Sequence, residues 1–270
     1  WFAFSLVNAD EGQSQWLLEL AYPLLDSVKV YLVENTKIVN HYYLGDKLPF
    51  RDRLVSHRNF LVPFDLPVGQ TMDVYIRVET TSAMQLPASV WRERVFHQQD
   101  KAVLLVHGLY FGIMLVMILY NLFVYLSTHV RSYLYYVLYV LFAAGLQASL
   151  HGLGFEYLWP ALVGWHDMSI VVMMLLLTAF AALFTRQFLS LAKHSPRWRR
   201  FFDAMATICF VSTVAAIGIP YATMIKVTIV CGAVGSFAAL FVGISRWYRG
   251  DLAARYYTIA WASFLLAGLF

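Results

Sequence analysis

Between Ala102 and Phe270 the chain runs through one uncharged apolar stretch after another, and few folds can accommodate that. The stretches are 102–126, 133–150, 168–185, 204–225, 227–245 and 256–270. Each complete one is near the ~20 residues that an α-helix needs to cross a bilayer. Backbone polar groups have no water to bind in hydrocarbon, so such stretches must be helical. The second half is therefore read as an α-helical polytopic membrane domain over 102–270, with five complete spans and a sixth still in progress at Phe270. The chain opens on Trp1 rather than Met and stops inside a hydrophobic run, which leads us to expect a segment of a longer protein.

The links between stretches carry their charge unevenly. Arg131 lies in the first, Arg186, Lys193, Arg197, Arg199 and Arg200 in the third, and Arg246, Arg249 and Arg255 in the fifth. The second link, 153–167, has no Lys or Arg, and the fourth is read as carrying only Lys226. Basic residues accumulate on the cytoplasmic side, so the odd links are expected inside and residues 1–101 outside. Aromatic residues agree. Tyr157, Trp159, Trp165 and Tyr221 mark an outer interfacial belt, and Trp198, Trp247 and Tyr248 an inner one.

The first hundred residues are built differently. Residues 1–101 hold ten Lys/Arg against twelve Asp/Glu, whereas the remainder holds ten against four. Phe2, Phe4 and Leu6 alternate with smaller or polar neighbours. So do Val28, Val30 and Leu32, and again Met72, Val74, Ile76 and Val78, which is the period of half-buried strands. Turn signals at Asn8 to Gly12, Asn35-Thr36, Gly45-Asp46, Pro67 to Gly69 and Thr80 to Ser82 divide the region at the intervals of an antiparallel sandwich. Residues 1–98 are thus expected to form an all-β domain, with an earlier strand or strands preceding Trp1. No cysteine staples it. Cys209 and Cys231 lie in apolar spans, where packing is the expected role.

Several segments together carry a resemblance. "YYLGDKLPFRDRLVSHRNFLVPFDLPVG" from Tyr42, "GLYFGIMLVMILYNLFVYLSTHV" from Gly108 and "HGLGFEYLWP" from His151 are similar to the bacterial seven-transmembrane receptors with diverse intracellular signalling modules. The resemblance implies a periplasmic jelly-roll domain, similar to carbohydrate-binding modules, ahead of a seven-helix domain that is cut here in its sixth helix. It further implies a bacterial inner-membrane location. The expected function is sensory input to a cytoplasmic output module such as a histidine kinase or diguanylate cyclase. The alternative reading is a transporter or membrane enzyme with an accessory domain, but the complete spans lack the charged or broken centres such proteins use.

Within this frame, Arg51, Arg53 and Arg58 offer planar forks to sugar hydroxyls or carboxylates. They could equally pair with Asp46, Asp52 and Asp65 and pin a loop. Arg58 is the better ligand candidate and Arg53 the better brace. Trp91 could stack on a sugar ring or fill the sandwich core. His107, Asn121, Gln147 and His151 are expected to face other helices, and Gly108 and Gly112 to permit close helix approach. His151, Glu156, His166 and Asp167 match no ligand spacing, so no metal and no cofactor is expected. No phosphate loop or nucleophile motif is present, and the region is read as non-catalytic. Expected partners are a periplasmic small molecule, carbohydrate or protein, the lipid bilayer, and a second copy in a homodimer; nucleic acid is not among them.

The topology has a direct check. Single cysteines at Gly164 and Ser195, probed on intact cells with an impermeant thiol reagent, should label at Gly164 and stay protected at Ser195. Labelling of Ser195 from outside would reverse the orientation.

Overall fold

A computed structural model describes residues 1–81 and 83–267. Ser82, in the last of the turn signals, and residues 268–270, at the end of the sixth apolar stretch, lie outside the described residues. The chain divides into two compact units, Trp1–Tyr110 with Gln147–Ile170, and Phe111–Leu146 with Val171–Phe270.

The first unit contains seven strands: β1 (Phe2–Val7), β2 (Gln15–Leu20), β3 (Ser27–Glu34), β4 (Lys37–Leu44), β5 (Phe60–Asp65), β6 (Thr71–Glu79) and β7 (Ala88–Trp91). They form two antiparallel sheets, ordered β1-β6-β3-β4 and β5-β2-β7, and the chain crosses repeatedly from one to the other in the manner of a jelly roll. The alternation read from sequence is the burial pattern observed. Val28, Val30, Leu32, Met72, Val74 and Ile76 are all buried, and they meet Leu18, Leu20, Phe60 and Val62 of the facing sheet in one core. The β3–β4 hairpin turns on Asn35-Thr36, both at positive φ, as a type I′ turn requires.

β7 passes into helix with only Arg92 between. α1 (Glu93–Thr128) runs unbroken for 36 residues, beginning well before the apolar stretch that starts at Ala102. It is followed by α2 (Arg131–Leu150), α3 (Val163–Phe188), the short α4 (Leu191–His194), α5 (Pro196–Ala215), α6 (Tyr221–Tyr248) and α7 (Leu252–Ala267). Among the described residues four helices are long and apolar enough to cross a membrane: α1, α2, α3 and α6.

The fourth expected span needs correction. The stretch 204–225 is not one helix, because α5 ends at Ala215 and α6 starts after Pro220, which holds an extended conformation and disfavours helix in the residue before it. Lys226 accordingly lies inside α6 rather than in a link. In the second unit, Phe142 of α2 stacks on Phe180 of α3 with centroids 5.5 Å apart. α6 and α7 meet where a Cβ on Gly243 would stand 2.6 Å from the Thr258 hydroxyl. Arg246 donates to Asp251 at 2.7 Å across the α6–α7 turn.

Gly45, after β4, sits at φ +151°, and a Cβ there would lie 2.2 Å from the Asp26 carbonyl oxygen. That oxygen is main chain and cannot swing aside. Gly45→Ala should therefore destabilise the chain by ~1–3 kcal/mol, read as a lowered Tm of the detergent-solubilised protein. An unchanged Tm would show that the turn has room to relax.

Candidate functional site

The two sheets are unequal, and the difference leaves part of one inner face bare. β4 is the edge of the four-stranded sheet. Its inward residues Asn40 and Tyr42 pair across to Leu32 and Val30, which the three-stranded sheet covers, but Asn40 itself stays exposed and Tyr42 only half-buried. A groove of about 490 Å³ opens there. Trp16 of β2 and Tyr42 give it aromatic walls, while Gln15, Asn40 and Asp65 supply polar groups. Its remaining wall is the start of α1, through Glu93 and His97. The indole N–H of Trp16 is buried and has no hydrogen-bond partner among the described residues. The volume falls in the range of small-molecule sites, and aromatic faces with a few convergent polar groups are the usual lining.

None of the four ligand candidates from the sequence lines this groove. Arg51 is exposed and pairs with Asp52 at 3.7 Å. Arg53 is half-buried, and its guanidinium lies 4.7 Å from the Phe50 ring, 4.6 Å from Phe60 and 5.5 Å from Phe155. Its Nη1 donates at 2.7 Å to the carbonyls of both His57 and Arg58. Arg58 is buried and hydrogen-bonds Asp100 of α1, whose same carboxylate oxygen lies 3.1 Å from His57 Nε2. The partner of Arg58 is thus a helix residue, not Asp46, Asp52 or Asp65. Trp91 donates its indole N–H to Glu19 at 2.8 Å and packs with Leu17, Leu61 and Phe96. The loop 49–59 is in this way tied to the sandwich, to α1 and to the segment after α2.

That segment contains a single π-helical turn, Gly154–Leu158, and Phe155 is fully buried against Phe50 and His166. His151 lies beside His107 with ring centroids 4.7 Å apart. His107 also contacts the carbonyl of Val103, and Gln147 pairs with the Tyr110 hydroxyl. Asn121 donates to the Met117 carbonyl of its own helix rather than across a helix pair. A Cβ on Gly108 or Gly112 would meet nothing within 4 Å.

Beside the arginine loop, Asp26, Asp46 and Asp167 each present a carboxylate oxygen within 4.8 Å of the others. Lys47 hydrogen-bonds Asp167 and stands 3.9 Å from Asp26. Asp46 is buried. Burial first, and the negative charges of Asp167 and Asp26 after it, push its pKa up to about 7.

Sequence reasoning missed Trp16, Asn40, Tyr42, Glu93 and His97. One signal was available: in "KIVNHYYL" Asn40 shares its phase with Tyr42 and the buried Leu44, so a polar side chain falls on the core-facing row. Helices long and apolar enough to span a membrane, with a β-sandwich at the N-terminus, define a multi-pass membrane protein with a periplasmic or extracellular segment. Residues 1–92 match the model described as 7TMR-DISM extracellular 2, and residues 104–270 that described as 7TM diverse intracellular signalling. The chain belongs to this family of seven-transmembrane receptors with diverse intracellular signalling modules, whose domains are sensory. No curated protein and no solved structure matches the chain.

The raised pKa of Asp46 fixes the sign of a pH dependence. The folded state holds a proton that the unfolded chain, with an ordinary Asp pKa near 3.8, has released. The contribution of Asp46 to stability is therefore full below about pH 4 and declines as the pH rises to about 7. In chelator, the Tm of the parent should fall over that window relative to Asp46→Asn. Parallel curves would remove the assignment.

Proposed function

We propose that the chain is the sensory input region of a bacterial inner-membrane receptor. Its sandwich takes a periplasmic ligand in the groove beside β4, and α1 relays occupancy towards a cytoplasmic output module such as a histidine kinase or diguanylate cyclase. The observation that carries this reading is the composition of the groove wall. Glu93 and His97 belong to the same unbroken helix that includes the first apolar span, so a bound molecule would touch that helix directly. Ligand contact with α1 in one arrangement and not in another gives the differential affinity that any ligand-driven shift requires.

The lining favours a carbohydrate-like ligand. Trp16 and Tyr42 offer aromatic surface to the C–H face of a sugar, and Asn40, Gln15 and Asp65 offer donors and acceptors to hydroxyls. Arg58 and Asp100 serve this reading about one turn further along the same face of α1, by fixing the helix to the loop at a largely buried charged contact.

Isothermal titration of the detergent-solubilised chain against neutral sugars, uronic acids and simple carboxylic acids tests it. A hydroxyl-rich compound should bind, and Trp16→Ala and the exposed Asn40→Ala should each weaken binding by about tenfold, which is ~1.4 kcal/mol. Arg51→Ala should leave it unchanged. Binding that survives both groove substitutions would place the ligand elsewhere.

A further inference from the structure

The carboxylate cluster beside the arginine loop carries a second site, independent of the groove. Three carboxylates face one another there with a single ammonium, Lys47, among them. The nearest guanidinium, Arg53, is already committed through Nη1 to two main-chain carbonyls. Asp46 is only 2% exposed, and its Oδ1 accepts no hydrogen bond among the described residues. A buried carboxylate oxygen without a partner is expensive to maintain, and it calls for a cation or donor. Asp26 has one oxygen occupied, since its Oδ2 accepts from the Thr81 N–H and hydroxyl at 2.8 Å, which orients the carboxylate and leaves Oδ1 turned towards Lys47.

We propose that Asp26, Asp46 and Asp167 form a Ca²⁺ site, from which the Lys47 ammonium swings out as the ion enters. Lys47 is able to leave because its side chain is 46% exposed, whereas those of Asp26 and Asp167 are 14% and 16% exposed. The donors are all carboxylate oxygen, which suits a hard cation and not zinc or copper. His166 is adjacent in sequence, but its ring is stacked on Phe155 at 4.6 Å. Ligand number selects between hard cations: three protein carboxylates on one ion suit Ca²⁺, whereas Mg²⁺ dehydrates reluctantly and is usually held by one or two. Oxygens within 4.8 Å of one another put some point within about 2.8 Å of all three, a distance that small side-chain shifts close to a Ca²⁺–oxygen contact. Water would complete the shell.

The ion would neutralise carboxylates from three separate segments: Asp26 ahead of β3, Asp46 after β4, and Asp167 in the first turns of α3. It would fasten the sandwich to the start of α3 more firmly than one lysine can.

Equilibrium dialysis of the EDTA-stripped, detergent-solubilised chain against radioactive Ca²⁺ near neutral pH is the test. One Ca²⁺ per chain should bind and should not be displaced by an equal concentration of Mg²⁺. Asp46→Asn should weaken binding by about tenfold or more. Lys47→Ala removes the resident cation and should tighten it several-fold, a gain that misfolding cannot produce. Absence of stoichiometric binding at millimolar Ca²⁺, equal competition by Mg²⁺, unchanged affinity in Asp46→Asn, or weaker binding in Lys47→Ala would each overturn the proposal and leave Lys47 as the permanent occupant.

Discussion

One guanidinium organises the base of the sandwich. Arg53 lies against three aromatic rings while holding the carbonyls of His57 and Arg58, and the arrangement resolves the main difficulty of a loop that leaves the surface. Buried main-chain carbonyls need donors, and a cation needs either water or a polarisable surface. With those two carbonyls held, the backbone at 57–58 is set, and the side chains of His57 and Arg58 converge on Asp100. Lysine would supply the charge without the flat fork that both donates to two carbonyl acceptors at 2.7 Å and lies on rings. The attachment of α1 to the domain thus depends also on Arg53, which sets the backbone from which His57 and Arg58 reach Asp100 of α1.

The groove has a different origin, in strand count. A four-stranded sheet facing a three-stranded one must leave an edge uncovered, and here the edge is β4. Its inward row could have been capped by a loop. Instead α1 starts alongside, closing one wall and leaving the rest open. The groove and the helix start are neighbours because β7, the last strand, pairs with β2, the strand that carries Trp16.

The sequence allowed much of the fold to be read, for physical reasons that also set the limits. Alternation in β3 and β6 is clean because each of these strands buries one face against a single core, and the side-chain period follows. The apolar stretches within α1, α2 and α3 stand out because hydrocarbon tolerates little else. The boundary between α5 and α6 was lost because composition stays apolar through a turn, so that only Pro220 marks it. The arginines were visible as a cluster, but their partners were not. Arg58 meets Asp100 forty-two residues on, and Asp167 lies 120 residues from Lys47. Contacts of that range follow from how strands and helices return to one place, and no local spacing encodes them. Asp46 and Asp167 were visible singly, but their meeting with Asp26 was not, for the same reason.

The continuity of α1 has a mechanical consequence. Thirty-six residues at 1.5 Å each make a rod of about 54 Å, nearly twice the ~30 Å of a hydrocarbon core. It contains no proline and no glycine-serine pair, the usual causes of a sharp kink, so a displacement imposed at one end would act by leverage. A tilt of only about 5° carries its far tip sideways by roughly 5 Å, near one helical pitch. Against a neighbouring helix, that is enough to change which side chains interlock, so under the proposed sensory reading a small rocking at Glu93 and His97 would reach the far end of α1 as a change of packing register.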